Sequence, residues 1–338
     1  MFSDIGIDLG TSKTVIVSGK LILLNEPSVV LMDTYDEVPV KFGRYAQRAV
    51  GRSTDRYNAV CPIERGVIAD YDVAEYMLNN YLARVVGNKL TKPRAVVAVP
   101  SNITTVERRS VIDAIQYSGI RSVCTIESPV ASALGMGIDF KKPHGSILVD
   151  IGAGVTDVAV LSMGGMSRSE TTKIGGDDID DAIIKYMRRE HNHLIGKSTA
   201  TEIKHLIGTA IPQDIDVAMV AKGISLSTGL PSTVEITSDE ICEAISDVVY
   251  ALCSAIQSVV NNTPPELVGD ISEDGIYLTG GTSALRGLAL KLSDFLGVSV
   301  RAATNAPYSV ARGIGIAMQH FDILENGDYK FLTIQDLL

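Results

Sequence analysis

The chain has 338 residues, 46% of them hydrophobic and 21% charged, which predicts a compact protein of two domains and excludes a disordered one. Its net charge of −10 argues against nucleic acid as the main partner, because phosphate-backbone binding leaves a basic footprint. No stretch is long and apolar enough to cross a bilayer and the first residues resemble the start of a strand rather than a signal peptide, so we expect a cytoplasmic protein.

The chain opens on two apolar segments joined by a glycine turn. Residues 4–17 read Asp-Ile-Gly-Ile-Asp-Leu-Gly-Thr-Ser-Lys-Thr-Val-Ile-Val, a pattern typical of a β-hairpin. Glycine lets peptide N–H groups approach an anion, and an Asp at the end of the first strand suits a hydrated cation. A single copy of this pattern also fits an ordinary hairpin turn.

The next 120 or so residues alternate polar and apolar segments. Residues 21–31 predict a strand interrupted by a proline, and residues 33–70 predict a small inserted subdomain. Its arginines at helical spacing indicate a solvated basic face, with partner contact as the alternative: Arg44, Arg48, Arg52 and Arg56. Helices are expected at 73–86, at 105–118 with Ser101 as its cap, and at 130–136, with a buried strand at 93–100.

The hairpin pattern then returns at residues 146–160, as Ser-Ile-Leu-Val-Asp-Ile-Gly-Ala-Gly-Val-Thr-Asp-Val-Ala-Val. A repeat of this kind, about 140 residues after the first copy, is expected of two related half-molecules. Two such hairpins that face each other would clamp one polyphosphate. The repeat therefore makes phosphate binding a stronger prediction than either copy alone.

A second insertion and a third glycine turn complete the chain. We expect helices at 179–193 and 199–208, strands at 217–220 and 233–237, and one long helix at 238–261 that is stopped by Pro264 and Pro265. A strand at 276–279 feeds the turn Gly280-Gly281, followed by a helix at 285–296. Glycine turns at strand ends are places where a nucleotide can contact backbone, so this turn is predicted to do so.

The order of these elements resembles the actin-like ATPase superfamily, and several stretches resemble the MreB family of bacterial actins within it: residues 24–30, 66–70, 99–104, 106–109, 227–231 and 278–281. The resemblance implies an α/β, ribonuclease H-like fold with two lobes and four subdomains around a nucleotide cleft. Subdomain IA would comprise residues 1–32, 71–140 and 316–338, and IB residues 33–70. Subdomain IIA would comprise 141–178 and 245–315, and IIB 179–244.

The resemblance also implies ATP and Mg²⁺ as cofactors and assigns their contacts. Phosphate contacts would come from the two hairpin turns: Gly10, Thr11, Ser12, Lys13, Gly152, Ala153 and Gly154. Purine and ribose contacts would come from two further segments: Thr201, Glu202, Ile203, Lys204, Gly280, Gly281, Thr282 and Ser283. Asp8 and Asp150 match the acids that hold Mg²⁺ through water.

Two departures from the family pattern concern the attacking water. We call residues 126–129, which lead into the predicted helix at 130–136, the connector. MreB proteins usually read Ile-Glu-Glu-Pro there, and the second Glu polarises the water. Ser128 replaces that Glu here. Val155 replaces a threonine that helps to orient the same water. General-base catalysis contributes roughly 10²–10⁴-fold, so we expect feeble hydrolysis. In the alternative, Glu127 reaches the water by a shift of register, although neighbours on a helix point about 100° apart.

Lys13 is a third departure, because the family usually has Asn there. An ammonium beside the phosphates would strengthen nucleotide binding.

The resemblance implies a cytoskeletal, filament-forming protein of cell shape or motility, similar to a divergent MreB paralogue of wall-less bacteria. Its partners would be further copies in paired protofilaments and other MreB-type filaments, with weak or absent membrane contact through residues 87–92 and a membrane-proximal location at most. Residues 321–338 are expected to dock on the body, with partner binding as the alternative. Two other functions stay open, namely a non-hydrolysing structural subunit with ATP as a fixed ligand and a small-molecule kinase of the same fold.

Overall fold

Two mixed β-sheets with the same strand arrangement organise the chain. The computed structural model describes residues 4–87, 92–319 and the backbone of residues 332–333. The described residues of the first part of the chain contain ten strands and four helices: β1 Asp4–Leu9, β2 Lys13–Ser18, β3 Leu21–Pro27, β4 Val30–Asp33, β5 Val38–Phe42, α1 Arg44–Gln47, β6 Tyr57–Val60, β7 Ile63–Glu64, β8 Val67–Ile68, α2 Tyr71–Val86, β9 Arg94–Val99, α3 Thr105–Tyr117, β10 Ser122–Glu127 and α4 Ser128–Met136.

The second part begins with the second glycine hairpin. Its elements are β11 Ser146–Ile151, β12 Thr156–Ser162, β13 Gly165–Thr172, α5 Gly176–Glu190, β14 His193–Leu194, α6 Lys197–Ile207, β15 Ala218–Ser225, β16 Pro231–Thr237, α7 Ser238–Ala244, α8 Ser246–Asn261, α9 Pro265–Asp274, β17 Ile276–Thr279, α10 Leu288–Leu296, β18 Val300–Ala302, α11 Ser309–Ala317 and β19 Leu332–Thr333. Short 3₁₀ helices occupy Gly281–Ala284 and Ala306–Tyr308.

The two sheets confirm the internal repeat. The first has the order β19-β10-β9-β1-β2-β3 and the second β13-β12-β11-β17-β18. In each sheet the glycine hairpin pairs antiparallel, β1 with β2 and β11 with β12, and its first strand pairs parallel with a later strand, β9 or β17. The parallel strands of each sheet therefore end on the same side, and the glycine turn of that sheet lies at these carboxyl ends.

Three buried cores hold the molecule together. One lies on the outer face of the first sheet under α2 and α3, and another packs the second sheet against α5, α6, α8 and α10. The third joins the sheets through α4 and α11. These two helices cross so closely that a Cβ at Gly313 would overlap the Ala131 carbonyl, and one at Gly135 would overlap that of Ser309.

The first insertion is mainly a sheet, so the arginines at helical spacing do not share one helix. Strands β5, β4 and β6 pair in that order, and α1 covers only Arg44–Gln47. Gly51 has a φ of +72°, which lies in the left-handed region where a helix does not continue. Arg56 instead lies beside β6, where its Nε is 2.8 Å from Asp33 Oδ2.

The predicted long helix at 238–261 is two helices, and the expectation of one is wrong. A capping box of Thr237 and Glu240 starts α7, and α7 and α8 meet at Ile245 with a bend of 52°. The predicted apolar face is nevertheless buried, because the bend lets both helices face the same core. No single helix among the described residues is long and apolar enough to span a membrane, and α7 with α8 satisfies that criterion only as a bent pair.

Other boundaries moved by a few residues. Thr104, not Ser101, caps α3 through a capping box with Glu107, because Ser101 hydrogen-bonds elsewhere. Helix α5 begins at Gly176, three residues before the predicted start.

Part of the C-terminal segment docks on the body, as expected. Leu332 and Thr333 pair antiparallel with Thr125 and Cys124 at the free edge of β10. The rest of residues 320–338 and residues 88–91 of the loop considered for lipid contact lie outside the described residues.

Candidate functional site

A cleft of about 1020 Å³ lies between the two sheets. This volume is at the upper end for small-molecule sites. Most predicted site residues line it: Asp8, Gly10, Thr11, Ser12, Lys13, Ser128, Asp150, Gly152, Ala153, Gly154, Val155, Thr201, Lys204, Gly280, Gly281 and Thr282. Glu127, Glu202, Ile203 and Ser283 do not line it.

The two glycine turns have the same geometry and touch each other. Gly10 N donates to Lys13 O at 3.1 Å, and Gly152 N donates to Val155 O at 2.9 Å. A Cβ at Gly154 would lie 2.7 Å from Thr11 Oγ1, so only glycine fits where the turns meet. Backbone N–H groups converging on one point of a cleft form a cradle for an anion.

Two carboxyl groups lie beneath these turns. Burial raises the pKa of Asp8 to about 6, against the opposing effect of Lys13. Burial, then Asp157 and Asp8, raises the pKa of Asp150 to about 7, although Ser132 donates a hydrogen bond to it at 3.1 Å. The ionised pair is disfavoured without a nearby cation, and a divalent ion would relieve this.

This donor set fits Mg²⁺ held through water. Both side chains supply only oxygen, the donor that Mg²⁺ prefers, and Mg²⁺ usually keeps several waters and uses one or two carboxylates. No cluster of three or more His, Cys, Asp or Glu able to hold a metal occurs in the described ranges 4–87 and 92–319. A bound phosphate would therefore have to supply further ligands.

The three residues expected around the attacking water, two at the connector and one after the second glycine turn, all contact other protein groups. Glu127 is buried, and Arg108 Nη2 lies 3.2 Å from its Oε1. Ser128 Oγ donates to Val99 O at 3.1 Å. Val155 lies at the cleft wall, where its methyl groups would be 3.2–3.3 Å from a Cβ at Gly66. Among these three residues, only Ser128 and Val155 face the cleft.

Lys13 lies on the cleft floor and bridges to the other end of the chain. Its Nζ donates to Pro307 O at 2.9 Å and lies 3.9 Å from the centroid of the Tyr308 ring. A cation over an aromatic face is stabilised electrostatically. The ammonium is thus fixed beside the first glycine turn and close enough to Asp8 to oppose the rise in its pKa.

The predicted purine end is organised by Asp180, a residue that sequence reasoning missed. Its Oδ2 accepts from Thr201 Oγ1 at 2.7 Å, and its Oδ1 lies 2.8 Å from Lys204 Nζ. Lys204 Nζ also donates to Gly176 O at 2.7 Å, and Thr282 Oγ1 to Gly152 O at 2.7 Å. Asp180 lies on α5 and its side-chain partners Thr201 and Lys204 lie on α6, so its own sequence context gave no sign of this role.

Three residues predicted to contact the purine or ribose do not line the cleft. Ile203 is fully buried in the core of the second sheet, Glu202 is exposed, and Ser283 Oγ donates to Gly280 O at 2.7 Å beneath the turn.

The roof of the cleft is the turn between β7 and β8, which was also missed. Arg65 and Gly66 both have positive φ, +49° and +77°, as a two-residue hairpin turn of this type requires. Gly66 N donates to Thr11 Oγ1 at 3.1 Å. Arg65 Nη1 reaches the other side of the cleft, 2.5 Å from Asp178 Oδ2 and 2.8 Å from Lys173 O.

The duplicated sheets, the facing glycine turns and the cleft between them define an actin-like α/β fold with two lobes. The family model of the MreB/Mbl proteins matches residues 2–326, and the chain belongs to this family of bacterial actins. It is 41% identical to the cell shape-determining protein MreB of Escherichia coli K12 over 336 residues, 97% of this chain and 96% of that protein.

Solved structures agree. MreB5 of Spiroplasma citri bound to AMPPNP is 31% identical, with a TM-score of 0.91 over 96% of this chain and 98% of that one, and it is also known bound to ADP. The fold alone is shared with MamK in a double helical filament, at 18% identity and a TM-score of 0.79 over 94% of this chain and 98% of that one.

Proposed function

We propose that this protein is a cytoskeletal bacterial actin that binds ATP in the cleft, assembles into filaments and hydrolyses ATP slowly. The observation that carries the proposal is the contact between the two glycine turns above Asp8 and Asp150. The structures of Spiroplasma citri MreB5 bound to AMPPNP and to ADP support it, as does the similarity to the cell shape-determining protein MreB of Escherichia coli.

In this proposal the chain's own groups do most of the work on the nucleotide. The turns of Gly10–Lys13 and Gly152–Gly154 offer backbone N–H groups to the phosphates, and Lys13 adds a fixed positive charge. Asp8 and Asp150 would hold Mg²⁺ through water. When bound, the ion would neutralise charge on the phosphate oxygens. Thr201, Lys204 and the Gly280 turn would contact the nucleoside end.

Slow hydrolysis is supported by the state of the connector. Ser128 Oγ donates to a backbone carbonyl, and Glu127 is paired with Arg108 away from the cleft. These contacts also favour the second candidate, a structural subunit for which ATP is a fixed ligand. The two differ in phosphate release under polymerising conditions.

The four subdomains keep the boundaries given above as part of the proposal. The same holds for paired protofilaments, association with other MreB-type filaments, a cytoplasmic location and, at most, weak lipid contact.

The test is sedimentation and electron microscopy of the purified chain with ATP, ADP and AMPPNP, together with phosphate release from the same samples. The proposal expects filaments and a slow release above a buffer blank. Filaments with bound ATP and no release would favour the structural subunit. Failure to bind any of the three nucleotides in the presence of Mg²⁺ would overturn both.

A further inference from the structure

Besides Asp8 and Asp150, the carboxylate of Asp157 lines the cleft, as do Ser128 and Val155, the two positions that depart from the family pattern. It lies on β12 directly opposite Asp150 of β11, so the two side chains lie on the same face of the sheet. It also lies two residues after Val155, which precedes β12 and lines the same cleft. Asp157 thus lies next to the space where the family's water-orienting threonine is replaced.

One oxygen of Asp157 is tightly held. Oδ1 accepts from Ser101 N at 3.1 Å, from Ser101 Oγ at 3.0 Å and from Thr171 Oγ1 at 2.5 Å. Ser101 follows β9 and Thr171 is the penultimate residue of β13, so donors from two separate segments fix the orientation of one carboxyl group. Burial raises the pKa of Asp157, and the three hydrogen bonds that its carboxyl group accepts oppose this rise by stabilising the ionised form.

The other oxygen is available. Within residues 4–87 and 92–319, Asp157 Oδ2 accepts no hydrogen bond from a protein group. This oxygen is also not fully buried. Asp157 is only 3% exposed, and it lines the cleft, so the small exposed area of this oxygen faces the cleft. A carboxylate clamped at one oxygen and open at the other can accept a hydrogen bond from a water in a defined place.

Asp157 and Ser128, where the family's glutamate is replaced, are anchored to the same segment of chain at the end of β9. Ser128 Oγ is anchored to Val99 O, and Asp157 Oδ1 to Ser101. Val99 and Ser101 are two residues apart, a span of at most about 7 Å. Because both side chains line the same cleft, a carboxylate is present in this region even though Ser128 itself has none.

We propose that Asp157 Oδ2 holds the water that attacks the γ-phosphate and thereby supports the residual hydrolysis. The inference rests on the proposed ATPase function. The water oxygen bonds to the γ-phosphorus while the bond from that phosphorus to the β–γ bridging oxygen breaks. The electron pair leaves with ADP on the bridging oxygen, and the water proton passes to Asp157 Oδ2 and then to solvent.

The test begins with the unmodified protein, from which ATP binding and phosphate release are measured. Asp157→Asn keeps the size of the side chain and an oxygen that can accept from Ser101 and Thr171. We expect phosphate release to fall at least tenfold, with ATP affinity within about twofold, since general-base groups contribute roughly 10²–10⁴-fold. Glu170→Gln is the matched control, because Glu170 is an exposed carboxylate on the adjacent strand β13 outside the cleft.

A second variant separates chemistry from structure. Asp157→Ala should lose phosphate release in the same way and regain part of it with added formate, a small carboxylate that can occupy the vacated space, whereas Glu170→Gln should not respond to formate. If Asp157→Asn also loses ATP binding, the formate response of Asp157→Ala decides, and its absence overturns the inference.

The remaining outcomes are distinct. An unchanged release rate in Asp157→Asn overturns the role of Asp157 and leaves the proposed function standing. Absence of release from the unmodified protein, with ATP bound, overturns this inference together with the hydrolytic part of the proposed function.

Discussion

Restoring the two family residues at the connector and the second glycine turn should accelerate ATP hydrolysis. The double variant Ser128→Glu with Val155→Thr reintroduces a carboxylate and a hydroxyl at positions that line the cleft. Ser128 is half-buried and opens onto about 1020 Å³ of space, so a longer side chain can be accommodated there. Threonine has nearly the shape of valine, so the second change adds a hydroxyl without altering the packing against Gly66.

The size of the effect follows from two opposing contributions. The change at Ser128 removes its hydrogen bond to Val99 O, which costs about 1 kcal/mol of folding stability, but this loss does not act on the chemical step. A positioned general base contributes roughly 10²–10⁴-fold, and even its lower limit exceeds a tenfold gain, which corresponds to about 1.4 kcal/mol in activation free energy. We therefore expect phosphate release to rise at least tenfold.

The assay is continuous phosphate release at polymerising protein concentration, with ATP affinity measured on the same preparation. Ser128→Gln with Val155→Thr is the control, because glutamine has the size of glutamate and cannot accept the proton. An unchanged rate in the glutamate variant, with ATP still bound, would refute the reasoning and move the defect elsewhere, for example to Lys13. An equal gain in the glutamine control would refute the role of the carboxylate.

Three further predictions concern contacts around the cleft and the body. Arg65→Ala removes the ion pair to Asp178 across the cleft roof. Because such partly exposed pairs contribute about 1 kcal/mol or less, bound nucleotide should dissociate up to about fivefold faster in a stopped-flow chase. An unchanged dissociation rate would contradict the idea that this ion pair helps to keep the cleft closed over the nucleotide. Gly313→Ala should lower the melting temperature markedly, because its Cβ would overlap the backbone of the facing helix. Gly269→Ala should not, because no atom lies within 4 Å of the added carbon. Equal effects of the two changes would contradict the close crossing of α4 and α11. His144 Nε2 donates a hydrogen bond to Asp274 Oδ2, and this bond and the nearby acids raise the pKa of His144 above its usual 6.5. The stabilising contribution of His144 is therefore complete below about pH 6.5 and is lost as the pH rises through the raised pKa. The difference in melting temperature from His144→Gln should shrink over that window, and a constant difference would exclude the charge effect.

Local signals sufficed for the two hairpins and their glycine turns. Glycine at residues 10, 152 and 154 and the β-branched residues around them determine the local geometry almost alone, so the sequence could predict two phosphate-type turns and their repetition. The contact between the turns and the bridge from Arg65 to Asp178 depend on how the sheets face each other. Residues 113 positions apart in sequence carry no local trace of such a contact.

The errors have similar physical causes. Residues 238–261 keep one helical period on both sides of Ile245, so periodicity could not reveal a bend that the shared core imposes. The arginines from residue 44 to 56 had the right spacing for a helix but no apolar face to bury, and a glycine with positive φ separates them. Asp180 was missed because its role depends on the neighbouring helix α6 rather than on its own sequence context.

The crossing of α4 and α11 has a consequence for how nucleotide could be exchanged. At Gly135 and Gly313 the two helices meet backbone to backbone, so tilting one against the other requires few rotamer changes at that point. The glycine contact is thus suited to act as a hinge between the two sheets that these helices join. A rotation there would change the distance between the Arg65 turn and Asp178 on the other side of the cleft, and with it the width of the cleft's mouth.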